Sequence, residues 1–173
     1  GIAAVLGLPH DRLEQALPEG AYVANYNGPD QTIISGTHEA IKLAEESLKQ
    51  AGAKRVMPLQ VSGPFHSPLM TQARDAFAEV VGVAEISDPI YPFVSSVSGE
   101  RVSDAGRIRE LLANQICAPV QWTRVMSTIG AVPALEVGPG RVLQGLCKRM
   151  PGAPEPVFPV GTLEACQTLE ADH

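Results

Sequence analysis

Residues 22–34 read Tyr22-Val23-Ala24-Asn25-Tyr26-Asn27-Gly28-Pro29-Asp30-Gln31-Thr32-Ile33-Ile34. Two runs suited to strands, Tyr22 to Tyr26 and Thr32 to Ile34, flank Asn27-Gly28-Pro29-Asp30, a strong turn signal. The stretch is therefore a predicted hairpin. Upstream, Ile2 to Leu8 reads as a strand, and Pro9-His10-Asp11 opens a short helix through Leu17. Downstream, Thr37 is placed to cap a helix in which Ile41, Ala44, Leu48 and Ala51 share one face. Glu45 and Lys49 form an i,i+4 pair on it, and Gly52 ends it. Lys54 to Val61 is the next strand. Strand-helix-strand-strand-helix-strand is the ferredoxin-like βαββαβ pattern, and residues 1–60 are read as that small subdomain.

After residue 61 helices and strands alternate. A helix is expected from Pro68 to Val81, with Leu69, Ala73, Phe77 and Val80 at helical spacing. Pro92 to Val97 reads as a short buried strand. A helix capped by Ser103 or Asp104 runs to about Ile116 and stops before Pro119. Trp122 to Ile129, Arg141 to Lys148 and Leu163 to Leu169 read as helices, and Ala134 to Val137 and Val157 to Val160 as strands. This alternation argues for a parallel sheet. The expected fold class is α/β, with residues 61–173 as the part built on the parallel sheet.

The segment Leu59-Gln60-Val61-Ser62-Gly63-Pro64-Phe65-His66-Ser67-Pro68-Leu69-Met70 joins the two parts. An apolar run ends in a Ser-Gly-Pro turn and a lone histidine follows. Ser67 suits a helix N-cap and Pro68 a first helical position. His66 is thus expected at a fixed bend just outside a helix. A histidine so held is either a hydrogen-bonded structural residue or a general base. Gln115, near the end of the helix that starts at residue 103 or 104, shares the face of Ile108 and Leu111. Its main-chain carbonyl falls in the unpaired last turn. That carbonyl either belongs to an ordinary capped end or accepts a hydrogen from a ring nitrogen. Asn25 is a poor strand residue. Its amide needs partners, a ligand among them, whereas Asn27 and Gly28 are explained by the turn. Gly138-Pro139-Gly140, between a strand and a helix, reads as a tight turn or, less simply, as a phosphate cradle.

Composition excludes several classes. The net charge is −6, and no basic run exceeds Lys54-Arg55 or Lys148-Arg149, which argues against a nucleic-acid surface. With 45% hydrophobic residues the chain can bury a core, and no stretch approaches a membrane span. Cys117, Cys147 and Cys166 lack CxxC spacing and read as reduced thiols of a cytoplasmic protein, each a small buried hydrophobe. His10, His38 and His173 show no ligand spacing, so no metal site is expected. The chain opens on a strand, Gly1-Ile2-Ala3-Ala4-Val5, without Met, which reads as a start inside a longer protein. No Gly-x-Ser-x-Gly occurs, so His66 has no nucleophile elbow to pair with.

Taken together, these residues resemble the C-terminal part of malonyl-CoA:acyl carrier protein transacylases. The matching stretches include Asn25 to Pro29, Pro58 through Met70, Gln115-Ile116-Cys117-Ala118-Pro119-Val120-Gln121-Trp122-Thr123 and Glu136 to Leu143. The resemblance implies a hydrolase-like α/β core carrying an inserted ferredoxin-like subdomain. It implies acyl transfer from malonyl-CoA to acyl carrier protein in fatty-acid synthesis, through a Ser-His mechanism. The serine would lie in an N-terminal half of the same protein that this chain does not contain. His66 is then the general base, Gln115 its support through the main-chain carbonyl, and Asn25 and Asn27 neighbours of the pantetheine. Phe65 corresponds to the position found in malonyl-selective relatives. No metal or redox cofactor is implied, coenzyme A entering as a thioester substrate. Lys54, Arg55, Lys148 and Arg149 are candidates to receive an acidic carrier protein. Two other functions stay open on sequence: a discrete acyltransferase of a polyketide synthase, and a non-catalytic ferredoxin-like binding module.

Overall fold

The structure, a computed structural model, describes residues 1–171; His173 lies outside the described residues. The chain forms two compact units, Gly1–Val125 and a second from Met126 onward.

In the first unit, β1 (Ile2–Leu6), α1 (His10–Ala16), β2 (Ala21–Gly28), β3 (Gln31–Gly36), α2 (His38–Gln50) and β4 (Arg55–Leu59) follow in the expected order. The strands form one antiparallel sheet in the order β2-β3-β1-β4. Val5 sits opposite Thr32 on one side and Val56 on the other. Its face, with Ala3, Ile34 and Val56, meets Leu13 of α1 and Ile41, Ala44 and Leu48 of α2 in a single buried cluster. Each large aliphatic side chain fully buried there contributes about 1.5–3 kcal/mol. Thr37 caps α2 as its residue type dictates, its Oγ1 accepting from the Ala40 N–H at 3.1 Å. Gly52 follows with φ +103°, a left-handed conformation that favours glycine.

The hairpin is tighter than its turn signal suggests. Gly28 pairs with Gln31, leaving only Pro29 and Asp30 in the loop. Two register shifts interrupt β2, between Val23 and Asn25 and between Tyr26 and Gly28. Bulges of this kind twist a strand and re-aim its side chains. Both asparagines lie at them, so the poor strand propensity of Asn25 has a backbone explanation. Beyond the second bulge, the His10 Nε2–H donates to the Gly28 carbonyl at 2.8 Å.

Past β4 the chain departs from expectation in three places. A 3-10 turn, Pro68–Met70, precedes α3 (Thr71–Val83), so the helix begins later than Ser67 and Pro68 imply. Ser67 does not cap it; its hydroxyl donates instead to the Pro64 carbonyl at 2.6 Å. The expected strand from Pro92 is only β5 (Phe93–Val94), paired antiparallel with β6 (Arg101–Val102) in a short hairpin. Phe93 in this strand is exposed rather than buried, while Ser95 just past it is buried. Then α4 (Ala105–Asn114) begins at Asp104, whose carboxylate accepts from the Arg107 N–H at 2.7 Å. Arg109 of α4 reaches back to donate to the Val81, Gly82 and Ala84 carbonyls, satisfying the end of α3.

α5 (Trp122–Ile129) leads into the second unit, built from β7 (Ala134–Val137), α6 (Val142–Cys147), β8 (Val157–Val160) and α7 (Leu163–Ala171). β7 and β8 pair in parallel, Ala134 with Val157 through Val137 with Val160, across the α6 connection. The fold class is α/β, with a ferredoxin-like sheet and a parallel strand pair.

Parallel strands are normally covered on both faces. Here Val137 is 81% exposed, and so are Val83 of α3 at 86% and Ile90 at 89%. Apolar surface left open in this way drives association. The 173-residue chain is expected to bind a hydrophobic dye or to associate in solution. A monomeric, dye-silent, cooperatively melting chain would contradict this; dye fluorescence and light scattering on one sample decide it.

Candidate active site

His66 is the only non-glycine residue among those described with positive φ, at 58°. The left-handed region costs such a residue about 1–3 kcal/mol and persists only where neighbours enforce it. Those neighbours come from the end of α4. The His66 N–H donates to the Ile116 carbonyl at 2.9 Å. Its ring Nδ1 lies 2.9 Å from the Gln115 carbonyl oxygen and 3.0 Å from that of Ala118.

Two carbonyl oxygens face one ring nitrogen. Carbonyls only accept, so Nδ1 carries the hydrogen and shares it between them. In the neutral ring the lone pair is then on Nε2, which has no hydrogen-bond partner among the described residues. The half-buried imidazole is held in one tautomer and one orientation, with its basic nitrogen free. When Nε2 takes a proton, the same two carbonyl dipoles stabilise the cation.

The carbonyls are available because of how α4 ends. The N–H groups of Cys117 and Ala118 both return to the Asn114 carbonyl at 3.0 Å, so the Gln115 oxygen is not consumed by the helix. Pro119 has no N–H with which to continue. Val120 then adds to the edge of β2: its N–H donates to the Ala24 carbonyl at 2.8 Å, and its own carbonyl accepts from Tyr26 N–H at 2.9 Å. Asn25 thereby bridges Val120 in parallel. The segment 115–120 holds His66 by one end and the bulged strand of Asn25 by the other. No hydrogen bond joins Asn27 or Phe65 to this cluster among the described residues. Asn27 sits at the second bulge, and Phe65, 39% exposed, precedes the histidine. The Gln115 side chain is half-buried and makes no hydrogen bond among the described residues; its main chain supplies the contact. Ala118 was invisible to sequence reasoning because a main-chain acceptor leaves no mark on residue type.

No family model matches the chain. A Bacillus subtilis malonyl CoA-acyl carrier protein transacylase is 39% identical over 158 residues, covering 86% of this chain and 50% of that protein. The Escherichia coli K12 enzyme of the same name is 38% identical over 157 residues, with 86% and 51% covered. Its relatives are malonyl CoA-acyl carrier protein transacylases. Solved structures agree. The Synechocystis malonyl-CoA:ACP transacylase superposes with a TM-score of 0.86 at 34% identity, over 96% of this chain and 57% of that one. A malonyl-transacylase in complex with a type II PKS acyl-carrier protein gives 0.90 at 33%, over 99% and 58%. The chain spans about half the length of the curated relatives it matches.

In a chain related to these transacylases, the remaining candidate features resolve as scaffold. Glu136, buried at the end of β7, accepts from the Leu143 N–H at 2.9 Å and the Gln144 N–H at 2.8 Å. Its carboxylate fills the start of α6, so the Gly138-Pro139-Gly140 loop is a tight turn and not a phosphate cradle. Cys147 is buried, its thiol donating to the Met126 Sδ at 3.4 Å. Burial, with the Glu136 charge adding to it, raises the Cys147 pKa, which opposes a thiolate nucleophile. Cys166 is exposed, contrary to the expectation of a buried thiol. No group of three or more His, Cys, Asp or Glu among the described residues is placed to hold a metal ion. None of the described helices is long and apolar enough to cross a membrane.

Proposed function

We propose that the protein carrying this chain transfers a malonyl group from coenzyme A to the phosphopantetheine thiol of acyl carrier protein, in the fatty-acid synthesis of the cytoplasm. The observation that carries the reading is the paired carbonyl grip on Nδ1 of His66, which leaves Nε2 free as a base. In this reading residues 1–60 are the small ferredoxin-like subdomain, and residues 61–173 complete a larger α/β core together with an N-terminal half that supplies the serine.

The chemistry has two halves. The serine oxygen attacks the malonyl thioester carbon while Nε2 takes its proton. The carbon–sulfur bond breaks, and the coenzyme A sulfur leaves with that proton. The carrier thiol then attacks the acyl-serine, giving its proton to Nε2, and the serine oxygen departs with it. Gln115 acts through its main-chain carbonyl, orienting the ring and stabilising the imidazolium in both halves. Asn25 and Asn27 are assigned to the pantetheine arm, and Phe65 to the malonyl side of the site. Coenzyme A enters as substrate, and the mechanism draws on no metal or redox cofactor. The exposed basic pairs Lys54-Arg55 and Lys148-Arg149 are suited by charge to an acidic carrier protein. A structural relative bound to a type II PKS carrier protein favours a second assignment, polyketide service, with the same chemistry.

The test is transfer of radiolabelled malonyl from malonyl-CoA to holo carrier protein by the full-length protein; no transfer would overturn the reading. In the same assay Gln115→Ala keeps the carbonyl and removes no hydrogen bond seen among the described residues, so it is expected to lower turnover by no more than about twofold, less than the loss of one buried hydrogen bond. A loss matching that of His66→Ala would place the Gln115 amide on the reacting atoms.

A further inference from the structure

We propose that Ser67 is a positioning residue for His66, a role that rests on reading His66 as the base. The observations are local and independent of the nucleophile. His66 stands in the left-handed region at φ 58°, uncommon for a residue other than glycine. The constraints supplied by residues 115–118 act on its main-chain N–H and its ring. None of them closes the turn in which the residue sits. Within the turn formed by Phe65 and His66, the Ser67 hydroxyl adds a tie, donating across His66 to the Pro64 carbonyl at 2.6 Å.

Ser67 is completely buried. Its residue type invites the reading of a helix cap, yet its side chain accepts no hydrogen bond from the following turn. The Met70 N–H goes to the main-chain oxygen of Ser67 instead, at 3.1 Å. The hydroxyl is thus committed to the loop before it. Without it the Pro64 carbonyl loses this donor, and the turn can relax towards ordinary negative φ. The ring would then swing away from the two carbonyls that fix its tautomer. Ser67 touches neither substrate nor reacting atoms; it acts only through His66.

The experiment compares wild type, Ser67→Ala and Ser67→Thr in the full-length protein labelled with 15N-histidine. Ring nitrogen shifts report the His66 tautomer, and steady-state kinetics report turnover. Wild type should show one tautomer, with the hydrogen on Nδ1. Ser67→Ala should show averaged ring shifts and a kcat lowered roughly tenfold, the equivalent of about one buried hydrogen bond, with KM within about twofold. Ser67→Thr, which keeps the hydroxyl, should restore both readouts. Should the alanine variant not melt cooperatively, Ser67→Cys, close in shape but a weak donor, is read in its place. An unchanged tautomer in the donor-deficient variant, a loss confined to KM, or a threonine variant no better than alanine overturns the proposal. The spectroscopic arm involves no turnover. If His66→Ala retained activity, the base assignment would fail while the ring shifts still judged Ser67.

Discussion

Replacing His66 by alanine in the full-length protein is expected to lower kcat by about 10²–10⁴-fold, with KM little changed. A positioned general base acts on the proton in the transition state. His66 Nδ1 is committed to the Gln115 and Ala118 carbonyls, so loss of the ring removes the only nitrogen those carbonyls orient. The substitution should not unfold the protein. Alanine retains the N–H that donates to Ile116, and the ring is only half-buried. Stopped-flow turnover with malonyl-CoA, alongside a thermal melt, separates the two effects. Near wild-type kcat in a folded variant would make His66 a structural histidine, and the paired carbonyls a means of satisfying a half-buried ring.

The 173-residue chain on its own should form no malonyl-enzyme, whereas the full-length protein should reach about one equivalent per chain. The reason lies in the serines this chain contains. None stands in a Gly-x-Ser-x-Gly elbow. Ser67, the one next to His66 in sequence, is buried with its hydroxyl on Pro64. Ser35 is buried within β3. Cys147 is not an alternative, because burial disfavours its thiolate. Mass spectrometry of the chain after incubation with malonyl-CoA reads the outcome directly. A stable, stoichiometric adduct of 86 Da, the mass of a malonyl group less the displaced hydrogen and so set by the reagent, would place a nucleophile inside the chain and overturn the two-part mechanism.

Sequence by itself determined the elements whose causes are local. The βαββαβ order followed from apolar runs, from Thr37 at a helix start and Gly52 at its end, and from the Asn27-Gly28-Pro29-Asp30 turn. All of these act within a few residues, so the chain's own chemistry specifies them before any packing occurs. The bend at His66 and the end of α4 before Pro119 were legible for the same reason. Tertiary structure decided the rest. The run at Pro92 pairs only through Phe93 and Val94, as one side of a small hairpin with Arg101–Val102, a partner that residue type does not announce. The Ser67 hydroxyl turns back to Pro64, and the Met70 N–H goes to the main-chain oxygen of Ser67 instead of its side chain. Glu136 closed the start of α6 from a strand six residues before its first residue. The site itself depends on contacts spanning 49 and 52 residues between a ring nitrogen and main-chain oxygens. Every residue carries such an oxygen, so only the folded path of the backbone selects the two that hold His66.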